Sequence, residues 1–234
     1  MKKILDNPHI SVIIPAFNEE NSVGKVVRDI PKELVKEIIV CNNNSNDDTK
    51  VNAMKAGAIV VDEPTKGYGN ACLKGMAYLV EHNIQPDIVV FIDADYSDFP
   101  EQLPELVAPI LNDSMDLVIG SRALGDKQKK SMTPQQIFGN WLATKLIKWF
   151  YKVEFTDLGP FRAVTYDSLT PIDMQAITFG RTVEMQVKAA KLKMNCTEIP
   201  VDYRVRIGKS KVSGTLKGTI MAGYKIITTI FKYR

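Results

Sequence analysis

Two carboxylates one residue apart, Asp93 and Asp95 in the run Phe91-Ile92-Asp93-Ala94-Asp95, are the sharpest chemical signal in the chain. They end an apolar stretch, residues 87–92, that reads as a buried strand. A carboxylate pair released at a strand end can present oxygens to a hard divalent cation, Mg2+ or Mn2+, that keeps positions open for substrate phosphates. Such a cation can neutralise charge developing on a diphosphate leaving group. Two more polar clusters follow apolar runs: Pro15-Ala16-Phe17-Asn18-Glu19-Glu20 and Asn42-Asn43-Asn44-Ser45-Asn46-Asp47-Asp48. Singly each could be a turn, because Asn, Asp and Ser are turn formers. Three in the same position relative to their strands predict one shared rim.

The elements that must hold these groups follow from the apolar pattern. Strands are predicted at 9–14, 37–41, 58–61, 87–92 and 116–119, with helices at 21–30, 47–56, 70–81 and 103–111. In the 70–81 segment Leu73, Met76, Ala77 and Val80 recur at the spacing of one helical face. Apolar strands alternating with helices predict an α/β fold with a Rossmann-like, mostly parallel central sheet flanked by helices. Ligands of such sheets bind at the carboxyl ends of the strands. The second half is patterned differently. A long amphipathic helix at 133–153 carries Trp141, Leu142, Leu146, Trp149 and Phe150. Strand-like segments at 161–165 and 196–201 and helices at 181–192 and 216–231 complete it. No Gly/Ser linker, repeat or low-complexity tract divides the chain, so one domain over 1–234 is expected.

Composition removes several classes of function. With 234 residues, 45% hydrophobic and 24% charged, the chain can bury a core without staples. Cys41, Cys72 and Cys196 are odd in number and far apart, which suits neither a disulfide framework nor a thiolate zinc site. His9 and His82 are the only histidines, too few for a His-rich metal centre. No Gly-x-x-x-x-Gly-Lys-Ser/Thr run occurs, and the glycine pattern begun by Gly67-Tyr68-Gly69 meets Cys72 at its third position. A P-loop is excluded and a dinucleotide fold is disfavoured. The first residues lack the apolar stretch of a signal peptide, and no window of about 18 apolar residues predicts a membrane span. A cytoplasmic location is expected.

The net charge of +3 conceals an asymmetry. From Asp202 onward eight basic side chains face that single acid, a net +7, leaving −4 for the rest. Such a block suits anionic partners or a solvated surface.

Together these motifs resemble a known family. PAFNEE after the first strand, the polar cluster after the second, KGYGNA, DAD and DLVIGSR are similar to family 2 glycosyltransferases of the GT-A fold. TDLGPFRA (156–163), GRTVEMQVKAA (180–190) and IPVDYRVRIGKSKVSGT (199–215) resemble the branch of dolichyl-phosphate mannose and glucose synthases. The resemblance implies a nucleotide-sugar-binding half over 1–122. It implies an acceptor-binding half over 123–234, with a basic loop and an amphipathic C-terminal helix.

By the same resemblance Pro15, Ala16, Asn18 and Glu19 line the nucleoside pocket, and Asp93, Ala94 and Asp95 bracket ribose and metal-bound diphosphate. The family's paired Asp after the second strand is replaced by Asn42-Asn43. An amide offers an acceptor and a donor side by side, which suits uracil better than guanine, so a UDP-hexose is expected over a GDP-hexose. Lys66, with Gly67, either contacts base or diphosphate or sits in a surface turn. Arg122 either reaches a phosphate or pairs with an acid near the rim. Asp157 and Glu184 match acidic positions facing sugar and acceptor: each is a catalytic candidate, as general base or sugar holder, or a structural acid. Arg204, Arg206, Lys209, Ser210 and Lys211 form the branch's basic loop, suited to phosphates of donor and acceptor.

The expected reaction is inverting, metal-dependent transfer of a hexose from a nucleotide sugar to a polyprenyl phosphate. A family 2 enzyme acting on a hydroxyl acceptor is the alternative. A nucleotidyltransferase is disfavoured because PAFNEE stands where a Gly-rich phosphate loop belongs. A non-catalytic binding module leaves the metal carboxylates unexplained. The C-terminal helix, with Ile220, Tyr224, Ile227 and Phe231 on one face, is either core-packed or interfacial on anionic lipid. The Trp-bearing helix supports the second reading, which adds peripheral association at the inner face of a membrane. Nucleic acid is not an expected partner; a homo-oligomer is a further expectation.

Overall fold

The computed structural model describes residues 7–208, 210 and 216–234. Among them seven strands run β1 (Ile10–Ala16), β2 (Val35–Asn42), β3 (Ile59–Asp62), β4 (Ile88–Phe91), β5 (Leu117–Ser121), β6 (Arg162–Thr165) and β7 (Cys196–Pro200). The helices are α1 (Val23–Asp29), α2 (Thr49–Lys55), α3 (Tyr68–Glu81), α4 (Leu103–Asp113), α5 (Pro134–Tyr151), α6 (Tyr166–Ile172), α7 (Arg181–Lys191) and α8 (Leu216–Lys232).

The strands form one sheet in the order β3-β2-β1-β4-β6-β5-β7. Six run in one direction, and β6 is antiparallel to both its neighbours, β4 and β5. The predicted mostly parallel α/β sheet is therefore present. β1 is buried along its whole length. Val12 and Ile14 pack with Val26 and Leu106 on one face, while Ile13 packs with Cys72 and Leu79 on the other. That is the two-residue period of a strand covered on both sides. Each such Ile or Val contributes about 1.5–3 kcal/mol by leaving water, so this central run anchors the rim beyond it.

Strand direction decides what reaches the rim. The carboxyl ends of β1, β2, β4 and β5 lie together there. β7 runs parallel to β5, so the basic segment after Pro200 also emerges at this edge. The reversed β6 begins at it, setting Arg162 opposite Phe91 and Ile119.

Two helices leave large apolar side chains uncovered. α5 opens on a capping box between Thr133 and Gln136. It buries Ala143, Thr144 and Ile147 but leaves Ile137, Phe138, Trp141 and Trp149 exposed. On α8 the core contact is Ile230, whereas Tyr224 and Phe231 are exposed. The side chains of Lys217 and Ile220 lie outside the described residues. α6 has no counterpart in the predicted elements. It is only seven residues long and contains Pro171, too short for a helical period to register.

Candidate active site

The ends of β1 and β2 are stitched together before any ligand is considered. Asn43 N donates to Ala16 O at 2.8 Å. Asn18, in the left-handed region at φ 53°, accepts from Asn46 N on its Oδ1 at 2.9 Å, and its backbone N–H donates to Ser45 Oγ at 3.0 Å. A short polar side chain tolerates that conformation where a branched one would not. Above this floor lies a cleft of about 410 Å3. Pro15, Ala16, Glu19, Asn43, Lys66 and Gly67 form one part of its lining. Asp93, Ala94, Asp95 and Arg206 form another. Ten of the predicted site residues thus converge.

The acidic pair sits at the centre of the cleft. Asp95 Oδ1 accepts from Ser97 N at 2.9 Å and from its hydroxyl at 2.5 Å. Its other oxygen, Oδ2, lies 3.1 Å from Arg206 Nη1. Arg206 Nη2 reaches Glu19 Oε1 at 2.5 Å, so one guanidinium spans two acids. Asp93 Oδ1 is buried and has no hydrogen-bond partner among the described residues. Burial and then the charge of Asp95 push the Asp93 carboxyl up to about 7, with Tyr68 and Arg206 acting the other way.

These features fit a divalent cation. A buried carboxylate oxygen without a partner is costly, and the guanidinium on Asp95 already occupies a cation position. No group of three or more His, Cys, Asp or Glu side chains that could hold a metal exists among the described residues. Asp93 and Asp95 would therefore be the protein's own ligands, with water and substrate phosphate filling the remaining positions, as Mg2+ commonly requires.

Other candidates have different duties. Arg122 forms a bidentate pair with Asp157, Nε to Oδ2 and Nη2 to Oδ1 both at 2.7 Å, and its backbone N–H donates to Oδ2 at 2.8 Å. Both side chains are buried. Burial alone would raise Asp157, but the charge and hydrogen bonds of Arg122 bring it below its usual value. Of the readings left open for these two residues, the ion pair is the one formed. Glu184 is fully buried and accepts from the backbone of Gln175 and Ala176, from Lys188 and from Tyr233. Burial would raise it, yet these donors hold it below the ordinary Glu value. Asp157, Glu184 and Arg122 do not line this cleft; Asp157 borders a separate cavity beside α5.

Two expectations concern side chains that the fold already engages. The Asn42 and Asn43 amides were expected to read a base, but the fold already uses them. Asn42 Nδ2 donates to Asp62 and its Oδ1 accepts from Ser45 N. Asn43 Nδ2 bonds the carbonyls of Glu63 and Thr65, and its Oδ1 takes Gly67 N at 2.7 Å. Arg204 was expected to bind phosphate. Its guanidinium instead donates to Tyr96 O and Asp98 O and lies between the Tyr96 and Phe99 rings. Ser210 is described but is not in the cleft lining, while Lys209 and Lys211 lie outside the described residues.

Several residues at the site carried no signal that spacing could reveal. Tyr68 lies in the cleft lining with Asp93. Thr178 and Phe179 wall the cleft from the far half of the chain, and Lys66 stands 5.1 Å over the Phe17 ring. Asp98 is buried with neither carboxylate oxygen bonded among the described residues. Burial, then Asp93 and Asp95, raise its acid well above the usual range. The third Asp of the D-A-D-Y-S-D run was visible in sequence, but nothing marked it as buried.

The model of glycosyl transferase family 2 matches residues 11–170, from β1 into α6. The chain belongs to that family. Over 221 residues the transferase is 34% identical to an uncharacterized glycosyltransferase of Mycobacterium tuberculosis, covering 91% of this chain and 94% of that one. It is 30% identical over 226 residues to the undecaprenyl-phosphate mannosyltransferase of Micrococcus luteus, with 89% of each chain covered. In fold the transferase is similar to glucosyl-3-phosphoglycerate synthase from Mycobacterium tuberculosis, crystallised with Mn2+, UDP-glucose and phosphoglyceric acid. That likeness has a TM-score of 0.75 at 23% identity and covers 97% of this chain and 79% of that one. The transferase has the GT-A fold.

Proposed function

We propose that the chain is a metal-dependent, inverting hexosyltransferase that moves a hexose from a nucleotide sugar to a polyprenyl phosphate. The observation that carries this reading is the cleft in which Asp93 and Asp95 meet Arg206 from the opposite end of the chain. Mg2+ or Mn2+ held by Asp93 and Asp95 would supply Lewis-acid stabilisation of the departing diphosphate. Arg206, placed beside the pair, would donate to the diphosphate oxygens. Residues 1–122 form the donor half in this reading and 123–234 the acceptor half.

The acceptor assignment rests on what the acids do. Asp157 and Glu184 are both held by protein donors, so neither is poised to take a proton. A phosphate oxygen is already ionised at neutral pH and needs no base, whereas a hydroxyl does. The name of the Micrococcus luteus relative supports the same acceptor class. A UDP-hexose is the donor to test first, as the nucleotide sugar held by the structural neighbour; the Asn42-Asn43 amides no longer argue for it. Among the described residues no helix is long and apolar enough to cross a membrane. The exposed Trp141 and Trp149, near Lys145 and Lys148 on α5, support peripheral contact with an anionic bilayer on the cytoplasmic side. Radiotransfer with purified protein and Mn2+ tests the reading, using UDP- and GDP-hexoses against undecaprenyl phosphate and undecaprenol. Transfer to the phosphate alone is expected; equal transfer to the alcohol would overturn the acceptor assignment.

A further inference from the structure

The segment between α6 and α7 forms a wall of the cleft through Thr178 and Phe179. Its backbone is seated directly on the start of α3. A Cβ on Gly69 would lie 1.9 Å from Ala176 O, and one on Gly67, at φ 148°, would lie 2.3 Å from Ile177 O. Asn70 N donates to Ile177 O at 3.2 Å. The KGYG run is thus glycine-rich because another strip of backbone lies against it, and that strip shapes the cleft.

Glu184, in the first turn of α7, fixes the strip from behind. Oε2 accepts from Ala176 N at 2.7 Å and Oε1 from Gln175 N at 3.0 Å. The same Oε1 takes the Tyr233 hydroxyl at 2.7 Å and lies 2.8 Å from Lys188 Nζ. Tyr233 follows directly on α8, whose seating is completed by the Tyr151 hydroxyl on Ile230 O at 2.5 Å. At the other end of the strip a Cβ on Gly180 would lie 2.7 Å from Thr229 Oγ1 of α8. The strip is therefore held at its start by Glu184, to which Tyr233 is bonded, and meets α8 directly at Gly180.

We infer that Glu184 is a positioning residue that ties the seating of the C-terminal helix to the shape of the donor cleft. Tyr233 supplies the tie from α8, and residues 175–179 deliver it to the cleft through Thr178 and Phe179. A carboxylate that gathers two backbone amides, a phenol and an ammonium has its geometry set jointly by all four donors. Losing the phenol leaves the amides and the lysine in place but frees the carboxylate from α8. The inference rests on reading the cleft as the nucleotide-sugar site.

Tyr233→Phe removes one hydroxyl from a partly exposed ring and should fold normally; Glu184→Gln removes the hub's charge. Hydrogen exchange of residues 175–179 gives a readout that needs no ligand, and it should quicken in both variants relative to α3. Calorimetric titration with UDP-glucose and Mn2+ should show about threefold to tenfold weaker binding, with kcat changed less than twofold. Unchanged exchange in Tyr233→Phe would overturn the tie. Quickened exchange with unaltered UDP-glucose affinity would overturn its effect on the cleft. If the unaltered protein binds neither UDP-glucose nor GDP-mannose with Mn2+, the donor-site reading itself fails, and exchange alone still decides whether Glu184 holds the strip.

Discussion

Arg206 Nη1 lies 3.1 Å from Asp95 Oδ2, so a guanidinium from beyond the last strand stands on one of the two carboxylates assigned to the metal. A cation must be displaced before a cation can bind. Arg206→Ala should therefore tighten Mn2+ binding in the absence of nucleotide by about threefold to tenfold, the range of a partly exposed ion pair. Transfer should nevertheless slow at least about tenfold, because the diphosphate loses a charged donor. Calorimetry and initial rates measure the two effects separately. Unchanged Mn2+ affinity would mean that Arg206 does not compete for Asp95.

Asp93 fixes the direction of the pH dependence. Its carboxyl is raised to about 7 by burial and by Asp95, so the native state holds a proton that the unfolded chain releases near pH 4. Without metal, this group makes the protein less stable as pH rises from about 4 to 7. Asp98 is shifted in the same sense. Mn2+ needs the ionised form, so its affinity should rise across pH 6 to 8. Thermal unfolding and Mn2+ titration at matched pH values check both slopes, and Asp93→Asn should flatten the first.

The buried Arg122–Asp157 pair should behave as structure. Asp157→Asn leaves a buried guanidinium without its counter-charge and should cost about 3–5 kcal/mol in urea unfolding. Replacing both partners with apolar residues should cost less than the sum of the single changes. An Asp157→Asn protein of unchanged stability but abolished transfer would restore the general-base role.

Gly69→Ala asks for room that does not exist. The added methyl would meet Ala176 O, so either α3 or the strip must shift. The expected cost is about 1–3 kcal/mol, with weaker donor binding because Thr178 and Phe179 move with the strip. Gly139→Ala, where nothing lies within 4 Å, is the matched control and should be neutral or slightly stabilising.

If α5 meets lipid, its exposed tryptophans carry the contact. Trp141→Ala with Trp149→Ala should at least halve co-sedimentation with anionic vesicles at low salt while leaving far-UV circular dichroism unchanged. Equal recovery of both proteins in the pellet would remove α5 from the interface.

Much of this was legible in residue patterns because the relevant physics is local. Ile13 and Ile14, on opposite faces of one strand, show as a β-branched run, and the Asp93-Ala94-Asp95 cluster shows because turns and carboxylates have distinctive residues. The parts that were missed are long-range. Nothing in the spelling of Asn43 says that Gly67 and Thr65 will claim its amide. Nothing in Arg204 foretells two aromatic rings and two carbonyls. Glu184 was singled out by motif, but only its distance in space from the cleft separates a hub from a base. The faces of α5 and α8 stayed open for a related reason. An apolar stripe reports that something will cover or use it, not whether the sheet will.

The parallel course of β7 gives the active cleft an order of assembly in time. Glu19 and Asp95 are translated early, while the guanidinium that bridges them comes 111 positions after Asp95. Until that segment is made, Glu19 and Asp95 lack the guanidinium that joins them. The cleft is therefore complete only after residue 206 has been made, long after the strands that carry its acids.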